Sequence, residues 1–115
     1  MWLFLNDSFL SIVADRNSDK LLVRARLPGD IERAFPGSEV VEGAGTDYRF
    51  RTWLAREVVA DRLTQEAMSL AYTNFKSSVT QKDRHIAYMK VWSIMSDWQD
   101  CVEATERAAD KPARR

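Results

Sequence analysis

The sequence predicts an α+β fold: a mostly antiparallel sheet of four or five strands, with two C-terminal helices packed on one face. Three observations carry that expectation. Short segments in which apolar and polar residues alternate fill the first half of the chain, separated by turn-forming residues. From Ala55 onward the apolar period shifts from 2 to 3.6. The 115 residues suit a single core, since a chain of this size buries about two thirds of its unfolded surface.

The N-terminus reads as a hairpin, Trp2 to Leu5 and Phe9 to Val13, turned at Asn6-Asp7-Ser8. A second turn, DRNSDK (15–20), leads into a strand from Leu21 to Leu27, which completes a meander. In that strand Leu21, Val23, Ala25 and Leu27 share the inner face, while Leu22, Arg24 and Arg26 share the outer one. Pro28-Gly29 ends it. Asp30 then serves as the N-cap of a helix of about two turns, in which Ile31, Ala34 and Phe35 recur at helical spacing before Pro36-Gly37. SEVVE (38–42) reads as a short strand and GAGTD (43–47) as a loop. That loop lacks the Gly-Lys-Ser/Thr ending of a phosphate-binding loop. Residues 48–54 alternate as a fifth strand, with Tyr48, Phe50 and Thr52 inward and Arg49, Arg51 and Trp53 outward.

Val59, Leu63, Ala67 and Leu70 place a helix of about four turns after Ala55. Residues 71–81 form an irregular connector, with Phe75 and Val79 suggesting one partial turn. The last helix starts near Lys82. Ala87, Tyr88, Val91, Ile94, Met95, Trp98, Cys101 and Val102 make a broad apolar stripe that is expected to enter the core. Residues 1–108 read as one domain and residues 109–115 as a disordered tail.

Composition excludes several classes of protein. The chain is 45% hydrophobic and 30% charged, too apolar for a disordered segment. Seventeen basic residues balance seventeen acidic ones, whereas a dedicated nucleic-acid binder is clearly basic. Twelve of the seventeen cations are arginine, the side chain suited to bidentate pairing with carboxylate or phosphate. A single cysteine, Cys101, rules out an intramolecular disulfide and reads as a small buried hydrophobe. The opening residues lack a basic start, and Asn6-Asp7 interrupts their apolar run, so no secretory signal is expected. No stretch approaches the roughly 20 apolar residues of a membrane span. A cytoplasmic protein with no membrane contact is expected.

Chemistry is sparsely represented. His85 is the lone histidine, so a zinc site is not expected, nor any metal or cofactor. His85 and Cys101 lie about 24 Å apart along one helix, too far for a nucleophile–base pair within one chain. The carboxylate pairs Asp97/Asp100 and Glu103/Glu106 read as a solvated helix face. An enzyme is not expected. Two surfaces stand out instead. Arg24, Arg26, Arg49, Arg51 and Trp53 share the outer sheet face and form a site if strands 21–27 and 48–54 are neighbours. Glu39 or Glu42 could then pair across with them. Ile86, Met89 and Trp92 form a second apolar strip on the last helix, which predicts a homodimer or a protein partner.

The segments LLVRARLPGDIERAFPGSEV, DYRFR, NFKSSV and RHIAYMKVWSIM resemble a family of small uncharacterised proteins met in bacterial genomes and prophage-like regions. The resemblance covers roughly Trp2 to Trp98. It implies no activity, cofactor or catalytic residue. It points to the arginine face, to the turn Gly29-Asp30-Ile31-Glu32 and to Asn74-Phe75-Lys76. The functional expectation is a small non-enzymatic protein-interaction module, which the resemblance associates with a prophage or mobile element. Two alternatives stand beside it: a nucleic-acid or phosphate binder using the arginine face, and a phage-derived, anti-CRISPR-like inhibitor of a bacterial defence nuclease.

Overall fold

The computed structural model describes residues 1–43 and 46–112, and the chain divides into two compact units, residues 1–78 and 79–115. The first unit contains β1 (Trp2–Phe4), β2 (Phe9–Ala14), β3 (Leu21–Ala25), α1 (Asp30–Ala34), β4 (Val41–Glu42), β5 (Phe50–Leu54), α2 (Arg56–Ser69) and α3 (Phe75–Ser78). The second contains α4 (Lys82–Ala109). The class is α+β, with the two longer helices toward the C-terminal side.

The five strands form one antiparallel sheet in the order β1-β2-β3-β5-β4. The first three are the expected meander. Its first turn closes through Leu5 N–H to Ser8 O (2.8 Å) and Ser8 N–H to Leu5 O (3.4 Å). In the second turn the Ser18 hydroxyl donates to Asp15 Oδ2 (2.7 Å) and accepts from Lys20 N–H (3.2 Å), so short polar side chains fix the bend. The strands are shorter than their alternation suggests. β3 stops at Ala25, where Arg26 and Leu27 begin the bend toward Pro28, and Leu27 is exposed. β5 starts at Phe50, not Tyr48, and β4 keeps only Val41 and Glu42 of the expected 38–42. Residues 44 and 45 of the expected 43–47 loop lie outside the described residues.

One face of the sheet carries the core. Leu10 and Ile12 of β2, Val23 and Ala25 of β3, and Phe50 of β5 are buried against Ile31, Ala34 and Phe35 at α1 and Val59 of α2, with Leu63 packed at the margin. Each large aliphatic side chain taken wholly out of water there contributes about 1.5–3 kcal/mol. Within the first unit, the short α1 therefore supplies much of the cover over this face. On α2 only Val59 and Leu63 join this core; Ala67 and Leu70 are exposed, contrary to the four-residue stripe read from the sequence.

The entry to α1 also departs from expectation. Gly29, in the left-handed conformation at φ 88°, occupies the N-cap position, and Asp30 is the first helical residue. The buried Asp30 carboxylate accepts Phe9 N–H at Oδ2 (3.0 Å) and the Arg33 Nη2 donor at Oδ1. Arg33 Nε in turn donates to Asp7 O (3.0 Å). A positive φ costs a glycine little, so the chain can turn there and commit the acid to the β1–β2 hairpin instead of to its own helix.

In the second unit α4 runs for 28 residues, about 42 Å. It extends through Ala109, where Asp110 N–H bonds Glu106 O (3.1 Å); of the expected 109–115 tail, residues 113–115 lie outside the described residues. The expected core stripe is not buried. Tyr88 is, but Ala87, Val91, Ile94, Met95, Trp98, Cys101 and Val102 are all exposed. Helical period shows which residues share a face. It carries no information on what covers that face.

Candidate interaction surfaces

The sheet face opposite the core carries the arginines, and the strands that bear them are neighbours. β3 pairs with β5 so that Arg24 lies directly opposite Arg51 and Leu22 opposite Trp53. Continued across the sheet, this register gives one row: Trp2, Ser11, Arg24, Arg51, Val41. No carboxylate occupies any position in it.

The four arginines differ in what neutralises them. Arg26 reaches Asp47 Oδ1 (3.3 Å), a hydrogen bond that raises its pKa further above the ordinary arginine value. Arg49 pairs with Glu42 (2.7 Å), as the sequence suggested for the intervening strand. Among the described residues Arg24 and Arg51 have no acidic partner. Arg24 Nη2 donates to the buried Ser11 hydroxyl (2.8 Å), and the Arg51 side chain makes no hydrogen bond or ion pair among the described residues. The Nε of each is buried without an acceptor. The basic surface therefore reduces from four guanidinium groups to two.

Aromatic groups surround the pair. Tyr48 is buried, as expected, but not in the apolar core. Residues 46–49 bend before β5 begins, and the phenol ring ends up 4.6 Å from the Arg24 guanidinium carbon and 4.3 Å from that of Arg26. Stacking of this kind holds a guanidinium in place without neutralising it. Trp53 is 41% exposed, with its indole N–H donating to Asp15 Oδ1 (3.3 Å). Trp2, 68% exposed, stands edge-on to Phe9 with ring centroids 6.3 Å apart. Sequence reasoning placed Trp53 on this face but missed Trp2 and Ser11, which enter through the register of β1 and β2.

The second surface lies on α4. Of the expected strip, Ile86 and Trp92 are exposed and Met89 is half-buried. The larger open surface is further along the helix: Ile94 is 66% exposed, Trp98 63%, Trp92 53% and Met95 52%, with Val91 and Val102 beside them. With full side-chain areas of roughly 150–250 Å² for such residues, these six leave on the order of 600 Å² of apolar surface open, at the top of the range for a monomer. A groove lined by Trp92, Met95, Trp98, Gln99 and Val102 runs along it.

The described residues hold no group of three His, Cys, Asp or Glu side chains able to take a metal ion, and Cys101 stands exposed on α4. No helix among them is long and apolar enough to cross a membrane. Compared with protein-family models, curated proteins and solved structures, the chain matches none.

Proposed function

We propose that this is a non-enzymatic protein that works by association, and that α4 pairs with α4 of a second copy. The exposed apolar stripe on α4 carries this reading. Two such surfaces brought together bury on the order of 1,200 Å², the lower bound for a specific, stable interface.

The spacing and the charges indicate how the helices meet. Val91, Met95, Trp98 and Val102 follow the alternating 4-3-4 spacing of a heptad seam, and all four are exposed. In antiparallel pairing Val91 lies opposite Val102 of the other copy, and Met95 opposite Trp98. Lys90 then falls level with Glu103 of the other copy. Asp97, Asp100, Glu103 and Glu106 give the C-terminal half of the helix a net negative charge, so a parallel pair would bring two acidic halves alongside each other. Antiparallel pairing carries each acidic half away from its counterpart.

Light scattering at about 100 µM tests the reading. A dimer is expected, with Trp98→Lys reduced to a monomer that keeps its far-UV circular dichroism. A wild-type monomer at that concentration, or a Trp98→Lys variant that dimerises as before, overturns it. Cys101 tests the orientation. In the antiparallel pair the two Cys101 residues sit about 13 Å apart along the axis, beyond disulfide reach, so an oxidant should not cross-link the dimer. A disulfide-linked dimer would refute that geometry.

A further inference from the structure

We infer that Arg24 and Arg51 form an oxyanion site on the sheet face opposite the core, suited to a phosphate of single-stranded nucleic acid, with Trp53 and Trp2 placed for the bases. The inference stands apart from the α4 interface and uses none of its residues.

Like charges directly opposite each other on an antiparallel ladder destabilise the sheet. The positions that flank this pair in the row are Ser11 and Val41, neither of them an acid. The acids that do approach this face are engaged elsewhere: Asp15 with Trp53 and Ser18, Glu42 with Arg49, Asp47 with Arg26. Arg24 and Arg51 thus stand opposite each other in the ladder, each with a buried Nε–H that lacks an acceptor. An anion on this row would balance the two like charges and could take hydrogen bonds from their Nη groups.

The surroundings select the class of anion. Tyr48 stacked on Arg24 and the Ser11 hydroxyl bonded to it hold that guanidinium in place before any ligand arrives. Trp53 is two residues from Arg51 on the same face of β5, about 7 Å along the strand, with its ring edge tied to Asp15. Trp2 begins the same row on β1. Arginines beside open aromatic rings on a sheet form the kind of stacking platform that binds single strands with little sequence preference. With net charge zero and two guanidinium groups that lack an acidic partner among the described residues, the affinity should be modest and its salt dependence shallow.

The test is quenching of tryptophan fluorescence by a ten-residue oligo-dT at 50 mM salt. Trp98→Lys serves as the background, so that α4 association does not enter. Binding is expected, weakened about sevenfold between 50 and 200 mM salt, as two phosphate contacts imply. Arg24→Gln and Arg51→Gln should each lose at least tenfold, whereas Arg26→Gln and Arg49→Gln, whose charges are already matched, should lose less than threefold. Ligand-free Arg51→Gln should melt about 1–5 °C higher than its parent, because the opposed charges are relieved. That readout also shows that the variant is folded. Absence of quenching, equal losses for all four arginine variants, or competition by poly-glutamate or inorganic phosphate as effective as that by oligo-dT would overturn the inference. A fall in the melting temperature of Arg51→Gln would do the same.

Discussion

Asp30→Ala offers the sharpest test of how the first unit is held together. The carboxylate is buried and accepts the Phe9 backbone N–H at the start of β2 as well as the Arg33 side chain. Truncation leaves the Phe9 donor without its acceptor inside the protein, which costs about 1–3 kcal/mol. Loss of the Arg33 contact adds no more than about 1 kcal/mol, because Arg33 is well exposed. The expected total is about 2–4 kcal/mol. Asp30→Asn keeps an oxygen acceptor for Phe9 and loses only the charge, so it should cost about 1 kcal/mol. At five residues, α1 is too short to persist alone, and Ile31, Ala34 and Phe35 reach the core only while it is docked. Urea unfolding followed by tryptophan fluorescence reads all of this as a shift in midpoint at constant slope. An Asp30→Ala variant within 0.5 kcal/mol of wild type would refute the reasoning, as would an Asp30→Asn variant as damaged as Asp30→Ala.

Further outcomes follow from the same geometry. Gly29→Ala should destabilise by about 1–2 kcal/mol, since φ 88° is strained for any side chain. Its Cβ would also come within 2.7 Å of Arg33 Nη1, so Gly29→Ala and Arg33→Ala should combine to less than their sum; strict additivity in a double-mutant cycle would contradict this. Arg49→Gln breaks an exposed ion pair with Glu42 and should stay within about 0.5 kcal/mol of wild type in the same urea assay. Cys101 should react with a thiol reagent in the native, dilute protein nearly as fast as in the unfolded chain. A thiol protected until unfolding would show that its side of α4 is covered.

What the sequence disclosed was local. The alternation of Val23, Arg24 and Ala25 was enough to place two of them in the core and the arginine on the other face, because two-residue periodicity leaves a strand no other choice. Tyr48 illustrates where that logic stops. Two residues before β5 the chain bends, alternation no longer applies, and the ring goes to the arginines instead of the apolar core. Asp30 followed the general preference of aspartate for helix N-caps, yet the left-handed turn at Gly29 took that position. On α4 the stripe was legible from Tyr88 to Val102. Its exposure was not, since burial depends on partners that helical spacing does not specify. Ser11 and Trp2 joined the arginine row through strand register, which is set between segments and not within them.

The place of β3 in the sheet bears on how quickly the fold assembles. β3 meets β2 across a short turn, but its other edge waits for β5, with residues 26–49 to be looped out first. Closing that loop costs entropy that grows with the logarithm of its length, and the contact it completes sets Arg51 against Arg24. The meander can therefore form early from nearby residues, whereas docking of β5 is the slow, long-range step. Charge at position 51 then acts on the rate of folding as well as on the stability of the finished sheet.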